Sequence, residues 1–327
     1  VSTSTLALQP VIRSIHDRDI GAVCALFTRV FGQAMTPEVW RWKYHGSALL
    51  GSANVVAVDR GGDIVGHAGA QVFSGRAGAQ PLRMIHVCDV MAATAVRGDW
   101  GRHNINRRLI EALAHDVVGL GPRAWPTFAY GFAGQRQIRL GQRLGFYAAL
   151  YGCAQVSWCA PAQTIRRWRT AAGWWAQCVP WSRIARDAQL ARRLADVRPI
   201  GIAPAPDKGP AYLLWRYAQH PRITYQLWIL RRAPWVVGGW LVSTTGAQHP
   251  MVVDGAMAAG GPTLEQALTA LSIASGMRTW DVWPRAFGAQ STLPAATEPM
   301  VAARVVPACT WADDAPPHFH PGDTDVY

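Results

Sequence analysis

Lysine is almost missing from this sequence: Lys43 and Lys208 are the only two among 32 lysine and arginine residues. The formal net charge of +12 is therefore carried by arginine, a side chain that binds phosphate and carboxylate through a planar fork. A balance of that sign attracts polyanions. The arginines are spread along the chain, however, with no sustained basic run, zinc finger or helix-turn-helix pattern, which argues against nucleic acid as the partner. A phosphate-bearing small molecule uses the same electrostatics with fewer contacts. Long apolar runs are also lacking: none reaches the roughly 18 residues of a membrane helix. Val1 to Gln9 shows no basic segment ahead of a hydrophobic stretch, so no secretory signal is expected. Cys24, Cys88, Cys153, Cys159, Cys178 and Cys309 lack the spacing of a metal site. They are expected to be buried or half-buried free thiols in a reducing compartment, with no metal and a cytoplasmic location.

What is present is ample apolar material, 50% of 327 residues, enough for two domains of about 150 residues each. Val11–Ile15 reads as a first strand, with Asp17 or Asp19 placed to cap a helix through Ile20, Val23, Leu26, Phe27, Val30 and Phe31. Thr36-Pro37-Glu38 opens a second helix. Asn54–Val58 and Ile64–Val72 flank the turn Asp59-Arg60-Gly61-Gly62-Asp63 as a hairpin. Arg83–Val96 reads as a long strand. A helix is expected from Asn104 to Val118, a strand at Thr127–Tyr130, a basic helix over Gly134–Leu144, and a strand over Phe146–Cys159. The order β-α-α-β-β-β-α-β-α-β defines an α/β or α+β unit around a mixed sheet.

The stretch 161–210 holds eight arginines and several tryptophans and is expected to be a basic helical connector. The second half then repeats the first. Tyr212-Leu213-Leu214-Trp215-Arg216-Tyr217 echoes Val39-Trp40-Arg41-Trp42-Lys43-Tyr44, and each is followed by two hairpin strands, a strand, a helix and a strand. An internal duplication accounts for this. The expected division is residues 1–160, 161–210 and 211–327.

Gly98-Asp99-Trp100-Gly101-Arg102-His103-Asn104-Ile105-Asn106-Arg107-Arg108-Leu109-Ile110-Glu111-Ala112-Leu113 resembles the acetyl-CoA-binding motif of the GCN5-related N-acetyltransferase (GNAT) superfamily. Tyr130-Gly131-Phe132 through Arg143-Leu144-Gly145-Phe146 resembles its second motif region. The likeness covers residues 11 to 158 and extends weakly over 211 to 327, as in bacterial members with two such domains. It implies two tandem GNAT-like domains, each a mixed central sheet flanked by helices. It also implies acetyl-CoA or another acyl-CoA as donor substrate, and transfer of the acyl group, acetyl in the first instance, to a primary amine by direct attack. Two alternatives accompany it: a GNAT-fold binding or regulatory protein with little activity, and an acyltransferase drawing on an acyl-carrier-protein thioester. A small-molecule amine is the expected acceptor.

The resemblance also assigns residues. Backbone amides at a helix N-terminus hold the donor's diphosphate, which here points to Arg102, His103, Asn104, Ile105 and Asn106, with Arg102 or Arg107 adding a direct phosphate contact. Asn104 and Asn106 stand where glycines are usual. An amide near the end of the long strand, at Met91 or Ala92, polarises the thioester carbonyl. Asp89, His86 and Tyr130 are the candidates for acid–base chemistry. Alternation puts His86 and Asp89 on opposite sheet faces unless a bulge intervenes. The family's helix tyrosine is absent, its position being Gly141. Glu38, Trp40 and Tyr44 lie where an acceptor pocket is shaped; the two aromatics, four apart, equally suit packing against the sheet. In the second half Gly260-Gly261-Pro262 precedes a helix without a basic partner, so no second site is expected there.

Overall fold

A computed structural model describes residues 9–98, 103–161, 173–197, 203–233, 236–246, 249–287, 297–311, 317 and 319–324. Its helices begin where a side chain or proline suits the free first-turn amides. After β1 (Val11–Ser14), α1 (Ile20–Phe31) follows a single 3-10 turn whose Asp19 carboxylate accepts from His16 N and Arg13. α2 (Pro37–Tyr44) has Thr36 as its N-cap, accepting from Val39 N, with proline in its first turn. The hairpin pairs β2 (Gly51–Val58) with β3 (Ile64–Ala77) in antiparallel register.

β4 (Gln80–Ala92) stops four residues short of the expected end, because Thr94–Val96 closes into a 3-10 turn and Arg97 Nε donates to Ala92 O. α3 (Ile105–Val117) is capped by Asn104. β5 (Thr127–Ala133), α4 (Gln135–Arg143) and β6 (Tyr147–Cys159) follow as expected.

The stretch expected to be helical contributes a strand as well: β7 (Trp175–Val179) precedes α5 (Trp181–Arg186), α6 (Ala188–Asp196) and the two-residue β8 (Ala205–Pro206). α7 (Pro210–Leu213) runs into a π-helical turn, Leu214–Ala218. Then come β9 (Tyr225–Ala233), β10 (Val236–Thr244), β11 (Val252–Met257), α8 (Leu264–Ser275), β12 (Thr279–Val282) and β13 (Thr297–Val305).

Contacts divide the chain into two units, one of residues 1–74, 83–149 and 303–312 and one of 75–82, 150–302 and 313–327. In the first, the sheet order is β1-β2-β3-β4-β5, with the end of β13 next to β5. β4 and β5 are parallel. α3 buries Leu109, Ile110, Leu113 and Val117 against Val55, Ala68, Ile85 and Ala129, each large side chain contributing about 1.5–3 kcal/mol of burial. α1 and α2 form a separate cluster in which Val23, Leu26, Trp40 and Tyr44 meet Val56, Cys88 and Met91. In the second unit β11-β10-β9-β7 form a sheet packed on α8 through Leu230, Leu241, Ala267 and Leu271. β12 pairs antiparallel with β6.

The repeat read in the sequence has a side-chain counterpart. In the first unit Tyr44 donates to Asp89 on β4 at 2.7 Å and Lys43 pairs with the same carboxylate at 2.8 Å. In the second, Tyr217 donates to Asp254 on β11 at 2.5 Å and Lys208 pairs with it at 2.8 Å. Both lysines of the chain thus neutralise a buried aspartate that also accepts a tyrosine hydroxyl. All six cysteines are free. Cys159 and Cys178 are exposed rather than buried or half-buried, since both sit on strand positions facing outward.

Candidate active site

The β4–β5 ladder runs from Arg83↔Thr127 to His86↔Tyr130 and goes no further, although both strands continue. Just beyond the last rung, Asp89 has φ +52, a left-handed angle that non-glycine residues adopt only under constraint. Its effect appears in the packing. Ile85 and Val87 face the α3 core and Cys88 the α2 core, yet past Asp89 the phase inverts, with Met91 in the α2 core and Ala92 in the α3 core. This is a β-bulge. It brings Asp89 onto the face occupied by His86, reversing the separation that strict alternation gives.

A buried polar network fills that face. Lys43 Nζ and Tyr44 Oη both donate to Asp89 Oδ2, at 2.8 and 2.7 Å. Asp89 O meets His67 Nδ1 at 3.0 Å, and His67 Nε2 meets the Asn54 side chain. Burial pushes the His67 pKa down, so its ring is held neutral. Gln71 Nε2 donates to Lys43 O at 2.7 Å, which orients the amide so that its Oε1 accepts from His86 Nδ1 at 3.3 Å. That fixes the tautomer and makes Nε2 the basic nitrogen of His86. The imidazole stacks on Tyr130, with centroids 5.1 Å apart and planes 9° from parallel.

The ends of β4, α3 and α4 enclose a cleft of about 640 Å³. Met91, Ala92, Asn104, Ile105 and Asn106 line it together. Arg97, Arg136, Arg139 and Arg143 also line it, and its lining includes no Asp or Glu. Asn104 Oδ1 accepts from Asn106 N at 3.0 Å and Arg107 N at 3.3 Å. The Asn106 amide, one of those expected to hold a diphosphate, is therefore covered by the capping side chain itself, as is its neighbour Arg107 N. Asn106 Oδ1 is buried without a hydrogen-bond partner.

The remaining expected residues lie elsewhere. Arg102 falls outside the described residues. His103 is exposed and bonds Gln9 at 2.6 Å, and Arg107 pairs with Glu111 at 2.7 Å; neither lines the cleft. Glu38 is exposed. Trp40 belongs to the α2 core and borders a separate cavity of about 820 Å³ that also takes in Arg83 and Leu120. Tyr44 is likewise a core residue, with its hydroxyl spent on Asp89 and Cys88. At Gly141, a Cβ would meet Tyr147 Cδ2 at 2.3 Å, so the ring of Tyr147 takes the space a larger residue needs. Burial raises the Tyr147 pKa, keeping the phenol protonated.

In the second unit Thr263 and Gln266 form a reciprocal capping box at the start of α8. A Cβ at Gly261 would lie 2.3 Å from Gly238 O. These glycines thus serve a tight turn. Among the described residues no group of three or more His, Cys, Asp or Glu is placed to hold a metal, and no helix is long and apolar enough to cross a membrane.

The β4–β5 pair thus parts past Tyr130, β4 is bulged at Asp89, and the cleft opens at the start of α3. Residues 11–132 match the profile of the family described as Acetyltransferase (GNAT) domain. The chain has the GNAT-superfamily fold in a tandem-domain arrangement. Among solved structures it resembles a probable N-acyltransferase from Enterococcus faecalis, at 12% identity and TM-score 0.65, covering 91% of this chain and 73% of that one. It also resembles GCN5-related N-acetyltransferases from Anabaena variabilis (13% identity, TM-score 0.59, covering 90% and 73%) and Kribbella flavida (13%, 0.56, 92% and 71%). No curated protein matches it in sequence.

Proposed function

We propose that the first unit is an N-acyltransferase that moves an acyl group, acetyl in the first instance, from acyl-CoA to a primary amine by direct attack on the thioester. The observation that carries this reading is the cleft at the end of β4, whose lining combines four arginines with the amide-rich start of α3 and holds no carboxylate. That donor set fits a ligand bearing several phosphate groups. Asn104 would have to yield Asn106 N and Arg107 N to the diphosphate, or leave it to Arg97. The unpartnered Asn106 Oδ1 supplies an acceptor for an amide N–H of the pantetheine arm. Met91 and Ala92, past the point where β5 leaves β4, are the residues whose amides would polarise the carbonyl.

Direct attack requires the amine to lose a proton. We assign its acceptance to His86 Nε2, because Gln71 fixes the tautomer and the ring stands at the last rung before the strands part. Asp89 is the positioning residue: its Oδ2 is committed to Lys43 and Tyr44, and its backbone forms the bulge. Tyr130 supports the imidazole through its stacked ring. The test is thiol release from acetyl-CoA and longer acyl-CoAs across a panel of primary amines. Amine-dependent release supports the reading; its absence across the panel, with donor binding intact, favours a GNAT-fold binding protein.

A further inference from the structure

α4 is too basic for a helix that merely packs on a sheet. Between Gln135 and Arg143 it carries Arg136, Arg139 and Arg143 and no acidic residue. Spacings of three and four place these guanidiniums on one face. Neighbours of like charge at such spacings repel and weaken the helix, and no carboxylate on α4 relieves them. Ile138 is buried and seats the helix, while all three arginines turn to the same cleft as the start of α3.

A diphosphate bound at α3 carries about two negative charges, and a phosphomonoester adds about 1.5 to 2 more. A ligand that answers all four arginines, Arg97 included, therefore bears a further phosphate beyond the diphosphate. We propose that Arg136, Arg139 and Arg143 form a second phosphate subsite, which reads the phosphomonoester on the ribose of CoA. The subsite selects a free CoA thioester over one borne on a carrier protein, whose pantetheine is attached through a single phosphodiester. This inference rests on the acyl-CoA reading above.

Calorimetric titration of the full chain with CoA and with dephospho-CoA, which lacks that phosphomonoester, tests it. The wild type is expected to bind CoA about tenfold or more tightly than dephospho-CoA. Arg136→Gln with Arg139→Gln should bring CoA down to the dephospho-CoA level and change dephospho-CoA by less than about twofold. Arg139→Gln alone should give an intermediate loss, with the circular dichroism spectrum unchanged. Equal wild-type affinities, or equal weakening of both ligands by the substitutions, would overturn the subsite while leaving the donor site standing. Tighter binding of a phosphopantetheinylated carrier protein than of CoA would overturn it as well. Absence of binding by both nucleotides would remove the acyl-CoA reading and the subsite together.

Discussion

Tyr44 donates its hydroxyl to Asp89 Oδ2 at 2.7 Å, and that oxygen also receives Lys43 Nζ at 2.8 Å. The carboxylate and the ammonium are both buried, with side chains 6% and 4% exposed. Removing one member of such a pair leaves the other charge unpaired in a poor solvent. Asp89→Asn is therefore expected to lower unfolding free energy by about 3–5 kcal/mol. Lys43→Met combined with Asp89→Asn should recover a substantial part of the loss. Urea denaturation of the wild type and the two variants measures both, and an unchanged midpoint for Asp89→Asn would refute a structural role.

His86 carries the chemical step in the proposed mechanism. His86→Gln is expected to reduce kcat by about 10²-fold or more, the scale of general-base catalysis. KM for acyl-CoA should stay near the wild-type value, because His86 does not line the donor cleft. A variant with undiminished kcat would move the proton elsewhere.

Asn104 caps α3 and faces the cleft at once. Aspartate is as good an N-cap as asparagine, so Asn104→Asp should leave the thermal midpoint nearly unchanged. It sets a carboxylate against the phosphates, and CoA affinity should fall by about tenfold or more. Loss of stability without loss of affinity would place the diphosphate away from this helix.

Gly141 has the ring of Tyr147 against it, at 2.3 Å from where a Cβ would lie. Gly141→Ala should cost about 1–3 kcal/mol through overpacking. Tyr147→Ala in the same chain should relieve it. Equal stability of Gly141→Ala and wild type, in denaturant titrations, would contradict that packing.

His220 Nδ1 accepts from Arg222 N and Ile223 N, and burial together with Arg216 and Arg222 pulls its pKa from 6.5 to about 4. Burial also lowers His67. A histidine whose pKa is depressed on folding binds its proton more readily when unfolded. Its contribution is complete above the unfolded value and is lost as pH falls from about 6.5 towards 4. His220→Gln should flatten that part of the stability profile by about 1–2 kcal/mol, after allowance for partial exposure.

Much of this fold was legible because each signal is local. Thr36-Pro37, the turn at Asp59–Asp63, Asn104 ahead of the Leu109 and Leu113 face, and Thr263 with Gln266 all act within a turn or two of chain. The element echo between Tyr44 and Tyr217 was readable for the same reason. β7 is not legible in the sequence because the arginines and tryptophans around it mask a five-residue strand whose partner, β9, lies some fifty residues on. The bulge was invisible since nothing in Cys88-Asp89-Val90 marks Asp89 for a left-handed angle; Lys43 and Tyr44, far away in sequence, hold it there. In the sequence the α4 arginines mark only a basic helix. Their place in the cleft depends on how that helix seats against β5. Trp40 and Tyr44, equally suited to a pocket wall or a core, belong to the core.

Acyl-CoA is expected to bind in the cleft formed by β4, α3 and α4 of the first unit. Calorimetry with acetyl-CoA on the wild type and on Asn106→Trp, whose indole would fill the cleft, tests it most directly. One binding event per chain is expected in the wild type and none in the variant. No heat at millimolar acetyl-CoA, or full binding retained in Asn106→Trp, would contradict it.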